Sequence, residues 1–500
     1  MRTIEIKKGI SLLFIFCLLF GGVNAQTDSR KNILKESREI LSSDSEQLYE
    51  RNLPEIDYSY VNSGSHIEFT LEECIQYAID HNIDIKRLKL ERENADVQLN
   101  TSQMSRLPDL NGKVGQTWGF GRTQTSSGLY ENNSQSNTSF SLGTSVPIFT
   151  GFRIPNEIAR DKLELSAATE GLEKAKEDLS LSITSLFLQV LFNQELLKIN
   201  EEQLALTQIQ VERTSILVDA GKVPPSQLYD IEAQVAKDEV SVIEAKNAFD
   251  LAILDLKQSL ELEQSVNFDI SAPEFGNVIN QFSRSIQPPG IIYNNAVNVK
   301  PVIKQQEYKV ESSKKSLKIA QSGYMPTLDL SLGISTNYFY LYKDEVEDPK
   351  TGIMIPYSNT SFSEQFKNNR GEAISLNLAI PIFNRFQVRN SVRSARLNIS
   401  NQQLILENTK KTLYKEIQTA YTNAAASQEK YTASVRAVKA TSESFRYAQE
   451  RYEIGKSAVF EFNEAKTKLV QSQSEEVQAK YDYILRAKIL DFYNGIPITL

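Results

Sequence analysis

Residues 146–152 read VPIFTGF and residues 380–386 read IPIFNRF. Ahead of each, alternate residues are apolar. Behind each lies a long stretch of helix-forming sequence. The chain therefore switches twice, at the same signpost, from a period of two to a period of 3.6, which are the repeats of a half-buried strand and of a helix.

Working back from the first signpost, Phe140, Leu142, Val146 and Ile148 share one parity while Ser139, Ser141 and Ser145 share the other. Further back, Leu110, Val114, Trp118 and Phe120 alternate with Asn111, Lys113 and Thr117. These predict two strands of about ten to twelve residues, the length that crosses a bilayer at a tilt, joined by the polar loop QTSSGLYENNSQSN. Before the second signpost, Leu328, Leu330, Leu332, Ile334 and Tyr338 oppose Asp329, Ser331, Ser335 and Asn337. Ile374, Leu376, Leu378, Ile380 and Ile382 likewise oppose Ser375 and Asn377. The loop between this second pair, over 341–371, is longer and holds Pro349 and Pro356.

Forward of the first signpost, Leu165, Ala168, Leu172, Ala175 and Leu179 keep a 3-4 rhythm that continues through Ile183, Leu186 and Val190 to Leu197, the mark of a coiled-coil-like seam. With no proline between Pro155 and Pro224, one helix is predicted to run to Val218, sixty-odd residues or roughly 95 Å at about 1.5 Å each. It stops at AGKVPP, and a returning helix covers 226–262. The second half repeats this: a helix from Phe386 to Tyr452, the stop EIGKSAV, and a return to Tyr493. Upstream, Thr70 with Glu73 forms a capping box for a short helix, and a further helix spans 84–105. The LFLQVLF run over 186–192 reads as packing between helices.

The spacings match between the halves. Pro108 and Pro326 lie 218 apart, whereas Pro147 and Pro381, and Gly221 and Gly455, lie 234 apart. The 16 extra residues fall in the second hairpin loop, and proline to glycine is 74 residues in both halves. This predicts an internal two-fold repeat, with 69–283 as the first unit and 284–500 as the second.

The 500-residue chain opens with a basic start, MRTIEIKK, an apolar run, ISLLFIFCLLF, and a small-residue cleavage site at Val23-Asn24-Ala25. Residues 1–25 are therefore expected to be a secretory signal peptide, and 26–68 a polar extension. Phe16 before Cys17 argues against a lipid-attachment site. Without the signal the chain carries 52 basic and 62 acidic residues, a net −10, and a single cysteine, Cys74. An acidic exported chain is not expected to bind nucleic acid. No run of 18 apolar residues follows the signal, so a membrane role must come through strands. Four amphipathic strands cannot close a barrel, because about eight is the smallest membrane barrel known, and open edges in lipid are not viable. The chain must join copies through its strands, two giving eight and three giving twelve, with the polar parity lining a lumen.

With TLEECIQYAIDHNIDIK at the start, RLPDL and YMPTL before the strands, VPIFTGF and IPIFNRF after them, and the glycine turns DAGKVPP and EIGKSAV, the chain resembles the TolC-like outer membrane factors over 69–500. The resemblance implies an α+β membrane protein. It also implies a homotrimer whose 12-stranded outer-membrane β-barrel, four strands per chain, continues as a long α-helical coiled-coil tunnel across the periplasm. It also implies contact with outer-membrane lipid, a periplasmic adaptor (membrane fusion) protein and an inner-membrane transporter of RND or ABC type. The expected function is the exit duct of a tripartite efflux system, with a type I protein or peptide secretion channel as the alternative.

Carried onto this sequence from Gly455, the family's gate pattern falls on Glu461 and Glu464, three apart on one helical face, and on Tyr452, matching a tyrosine that holds the closed state by hydrogen bonding. Ser457 stands where well-studied members have arginine. In the first half the equivalent places are Gln227 and Asp230. Gly221, Lys222, Gly455 and Lys456 lie at the predicted hairpin tips as adaptor contacts. Pro147, Phe149, Phe152, Pro381, Phe383 and Phe386 mark the barrel–helix junctions. There Pro147 is expected to help end sheet pairing, and Gly151 to supply the bend. Trp118, Phe120, Tyr338, Phe383 and Phe386 fit interfacial girdles, although scattered core aromatics would give the same composition. Arg389, Arg393 and Arg396 form a basic stripe beneath the barrel, read as solvated or lumen-facing. No enzymatic activity, cofactor or metal is expected: two histidines, His66 and His81, cannot build a multi-histidine site, and no P-loop or nucleophile-elbow motif is present.

Overall fold

The structure, a computed structural model, describes residues 66–124, 130–132, 134–263, 267–271, 287–343, 345–347, 353–454, 456–496 and 498. The expected signal peptide, the extension up to Ser65, and Gly455 lie outside the described residues. The elements run β1 (His66–Phe69), α1 (Leu71–His81), α2 (Ile83–Met104), β2 (Asn111–Gly119), β3 (Arg122–Gln124), β4 (Tyr130–Asn132), β5 (Gln135–Thr150), α3 (Arg153–Asp219) and α4 (Pro225–Ser259). They continue with β6 (Asn267–Ile270), α5 (Pro289–Val299), α6 (Pro301–Ser322), β7 (Thr327–Leu341), β8 (Glu345–Glu347), β9 (Met354–Pro356), α7 (Phe362–Asn368), β10 (Gly371–Ala379), α8 (Gln387–Glu453) and α9 (Val459–Tyr493).

Four strands form one antiparallel sheet in the order β10-β7-β5-β2. Directly paired residues share a face, and the register places Val114 opposite Phe140, Leu142 opposite Ile334, Val146 opposite Leu330, and Leu330 opposite Leu376. Every apolar parity thus falls on one side. On the other side Lys113, Ser141 and Ser335 line up, as do Ser145, Ser331 and Ser375. Val114, Trp118, Ile374, Leu376 and Leu378 stand exposed in the single chain. The inner strands β5 and β7 have 16 and 15 residues, against nine each for the outer strands β2 and β10.

The helices match in pairs. α3 and α8 each have 67 residues, roughly 100 Å at about 1.5 Å per residue. α4 and α9 have 35 each, α1 and α5 have 11 each, and α2 and α6 have 22 each. Burial follows the same offsets. Cys74, Ala78 and Ile85 are buried, and so are Ile292, Ala296 and Ile303, 218 residues on. Ile183, Val190 and Leu256 are buried, and so are Ile417, Ala424 and Leu490, 234 residues on. The LFLQVLF run supplies Phe187, Leu188, Val190 and Leu191 to the first core, packed with α1, α4, β6 and α9. Because α3 is flanked on several sides, its buried set includes Ala167, Phe187 and Leu191 beyond the expected seam. Thr70 caps α1 with Glu73 in the reciprocal box that the sequence predicts.

Five local features depart from the expectations. The end of the expected extension is ordered: β1 pairs in parallel with β6, a strand that apolar alternation was too short to reveal. The long loop before β10 contains α7, whose Phe362 and Phe366 pack against Phe140, with Phe362 also on Tyr338. Tyr338 is half-buried, with the Phe362 ring edge-on against it. Beyond the end of β10, side-chain amides take the place of a strand: Gln365 accepts from the Phe339 N–H and donates to its carbonyl, both at 2.9 Å. Asn359 does the same for Leu341, at 2.8 and 2.9 Å.

The junctions hold the other two departures. Pro147 does not end the pairing: β5 continues to Thr150, and a bulge between Pro147 and Phe149 absorbs the missing N–H. Pro381, by contrast, follows the end of β10. The bend is also not a matter of glycine alone. Gly151 and Phe152 have φ of 61° and 64°, and Arg385 and Phe386 have φ of 55° and 60°. Both junctions use two consecutive left-handed residues, and Arg385 takes the conformation at a cost of roughly 1–2 kcal/mol. Only at Gly151 is a side chain also excluded by space, since a Cβ would lie 2.6 Å from Met325 Cβ and 2.8 Å from the Ser322 carbonyl. Gly151→Ala should therefore lower the apparent melting temperature sharply. Arg385→Gly should leave it unchanged or raise it, by up to about 1 kcal/mol of stability, when the purified proteins are melted side by side.

Candidate functional site

The ends of the helical hairpins carry the candidate site. α3 closes with a Schellman turn: the Gly221 N–H bonds the Val218 carbonyl and the Lys222 N–H bonds the Leu217 carbonyl, each at 2.9 Å. Gly221 sits at φ 65°, open to solvent. α8 closes the same way, with the Lys456 N–H on the Arg451 carbonyl at 2.9 Å. Lys222 and Lys456 are exposed on their turns. Arg213 reaches from α3 to α8, 3.5 Å from the Glu453 carboxylate and donating at 3.2 Å to its carbonyl.

Glu461 lies in the first turn of α9, where a carboxylate suits the positive end of the helix dipole. Ser457 donates to it at 2.6 Å. Glu464 lies one turn on and is bonded by Lys468 at 2.6 Å, with both side chains exposed. The two carboxylates thus share a face, but one of them has a cation beside it that the spacing of the motif did not disclose. Tyr452 is held by ring stacking on Phe462, centroids 5.1 Å apart, with Phe445 on that ring at 5.5 Å. This ring packing positions Tyr452 within the chain.

Higher on the same helix is a network that the sequence did not mark. Lys466, only 2% exposed, ion-pairs with Asp238 of α4 at 3.0 Å and donates to the Thr207 hydroxyl of α3. Thr207 donates to Asp238, itself 7% exposed, and Gln234 donates to the same carboxylate at 2.8 Å. Burial pulls the Lys466 ammonium below its usual range, and Asp238 only partly offsets this. One lysine therefore bolts the second hairpin to both helices of the first. Lys466 lies on a helix of mixed charge, so only the third dimension distinguishes it from its solvated neighbours.

At the opposite end, Phe149 meets Phe152 edge-on at 5.2 Å, and Phe383 meets Phe386 likewise at 5.5 Å. Phe152, Phe383 and Phe386 remain exposed, as do Trp118 and Phe120. The Arg389 guanidinium lies over the Phe386 ring at 5.6 Å, and Arg393 and Arg396 are exposed. Gln227 and Asp230 sit in the first turns of α4, the latter exposed. Among the described residues no group of His, Cys, Asp and Glu is placed to hold a metal ion, and no helix is long and apolar enough to cross a membrane.

The buried pair makes a clear expectation. Lys466→Met strands Asp238 and should cost about 3–5 kcal/mol, seen as a large fall in the melting temperature. Lys466→Met combined with Asp238→Leu should recover most of that loss. A double variant no better than the single one would mean that Lys466 acts through its packing alone.

Comparison with known proteins bears on this geometry. The family described as "Outer membrane efflux protein" matches residues 74–261 and 292–495. Outer membrane protein TolC of Escherichia coli strain K12 is 21% identical over 429 residues, covering 83% of this chain and 80% of TolC. A crystal structure of CusC superposes with a TM-score of 0.71 at 16% identity, covering 86% of this chain and 93% of that one. The outer membrane protein VceC of Vibrio cholerae superposes at 0.68 and 15% identity, over 85% and 96%. The fold is shared by these structures, and the chain belongs to the outer membrane efflux protein family, whose place is the outer membrane.

Proposed function

We propose that the chain is a passive exit duct: a homotrimer whose twelve strands form an outer-membrane barrel and whose helices form a periplasmic tunnel. In this reading the chain is one structural unit duplicated, with the two halves supplying equivalent hairpins. A periplasmic adaptor grips the tips at Lys222 and Lys456, and an inner-membrane transporter of RND or ABC type supplies the energy. The chain performs no chemistry on its cargo. One observation carries the reading above the others. An open four-stranded sheet exposes an apolar face across its outer strands, and two of its strands, β5 and β10, lead through short junctions into 67-residue helices. Exposed apolar area of that extent marks a surface made for lipid or for another protein.

Conduction then depends on the tip. Three copies place six carboxylates, Glu461 and Glu464 from each, around a narrow aqueous passage, the charged-ring arrangement that attracts cations. Lys468 tempers three of them. Opening requires the second hairpin to part from the first, which the buried Lys466–Asp238 pair and the Arg213–Glu453 pair oppose.

Photo-crosslinkers placed at Lys222 and Lys456 in living cells test the function directly, with the captured partner identified by mass spectrometry. Capture of an adaptor of a small-molecule pump supports efflux. Capture of an adaptor of a peptide or protein exporter moves the function to secretion, and capture of no adaptor overturns the duct reading. In single-channel recordings, Glu461→Ala with Glu464→Ala should raise leak and weaken block by multivalent cations severalfold. Lys468→Ala, which frees Glu464, should strengthen the block.

A further inference from the structure

The open edges of the single chain carry enough information to specify how the next copy docks. Inside the chain, β5 meets β7 with paired residue numbers that sum to 476 from Gln135↔Leu341 through Pro147↔Asp329. The same sum continues down the helices beneath. Ser312 of α6 bonds Glu164 of α3, and Gln305 of α6 closes on Gly171 of α3. Apart from the bulge after Pro147, where Phe149↔Leu328 and Thr150↔Thr327 sum to 477, one register therefore relates sheet and helices along the seam between the two halves.

The halves superimpose in sequence at offsets of 218 before the hairpin loops and 234 after them, in helix lengths and in buried residues alike. The first half ends this seam with β5 and α3, whose counterparts in the second half are β10 and α8. The second half opens it with β7 and α6, whose counterparts in the first half are β2 and α2. These counterparts are the free flanks of the chain. β10 and β2 are the two outer strands. α2 leaves Ile83, Leu90 and Val97 at 65%, 62% and 62% exposed, and α8 leaves Leu397 and Leu404 at 66% and 65%. Both stripes repeat every seven residues, the spacing of a helix seam without its partner.

We infer that β10 and α8 of one copy pair antiparallel with β2 and α2 of the next in a single register, with paired residue numbers summing to 492. This rests on the trimer proposed above and specifies its contact. Carrying Ser141↔Ser335 across gives Ser375 opposite Thr117, and Gly143↔Gly333 gives Asn377 opposite Gly115. Carrying Phe140↔Thr336 across gives Ile374 opposite Trp118, and Thr144↔Leu332 gives Leu378 opposite Val114. Each pair keeps apolar with apolar on one face and small or polar with polar on the other. A slip of one residue would break that match. In the helices, Glu164 with Ser312 becomes Asn398 with Asn94, beside the Leu90 and Leu404 stripes.

Cysteine pairs in the full-length chain test the register against the slips of two residues that parity permits. Cys74 is buried, which pushes its thiol up to about 12 and keeps it out of the reaction. On copper-phenanthroline oxidation in membranes, Thr117→Cys with Ser375→Cys should give covalent trimers on denaturing gels. Thr117→Cys with Asn377→Cys or with Ala373→Cys, diagonal by about 7–8 Å, should give about tenfold less. Asn94→Cys with Asn398→Cys reads the same register in the helices, where a disturbed strand cannot spoil the result. A trimeric native mass with cross-linking favoured at a slipped pair overturns the register and leaves the trimer standing. A native mass that is not trimeric overturns the trimer reading, and the register with it.

Discussion

A peptide N–H or carbonyl facing hydrocarbon without a partner costs several kcal/mol, and a sheet edge presents a whole row of them. β2 and β10 each carry a free edge, and in the proposed barrel these are the rows around which the rest of the architecture is arranged. An antiparallel sheet with one apolar face and two raw edges has no stable existence in lipid as a single copy, so assembly is bound up with folding. Where β7 outruns β10, the chain supplies its own partners: the side-chain amides of Gln365 and Asn359 each satisfy one residue's N–H and carbonyl together. The edge is left open only where another strand can reach it.

Much of this was legible in the sequence because it depends on period and spacing. Alternation at Leu328, Leu330, Leu332 and Ile334 fixed a strand and its faces, and the 218 and 234 offsets placed every long helix to within a few residues. The cap at Thr70 and the glycine stop at Gly221 were equally local signals. Other features had no local signal. β1 and β6 are four residues each and stabilise one another only across the fold. Pro147 reads as a strand end, yet a bulge lets the ladder pass it. Arg385 adopts a backbone conformation that its residue type disfavours, because the junction is set by the strand above and the helix below.

The candidate gate shows the same division. The spacing of Glu461 and Glu464 was visible, whereas the partners Ser457 and Lys468 belong to the folded helix. The Lys466–Asp238–Thr207 network joins residues more than two hundred positions apart in the chain, beyond the reach of any motif. Its energetics also differ from those of the exposed pairs. Surface ion pairs such as Lys468–Glu464 contribute little net stability, while a buried pair commits the helices to one arrangement because separating its members leaves a charge without water. The proposed tunnel, shut at rest and opened on demand, would be well served by a few such contacts among many weak ones.

The equality of the 67-residue helices has a further consequence. α3 and α8 start from one sheet and turn back at their tips, so their length acts as a gauge held in duplicate. Seven residues added to one helix alone would push its tip roughly 10 Å beyond its twin and break the level rim. Added to both, with matching additions to α4 and α9, the same seven would lengthen both helical hairpins together and leave each contact between them in register. The reach of such a chain can change only in paired steps, which makes its length a discrete quantity rather than a continuous one.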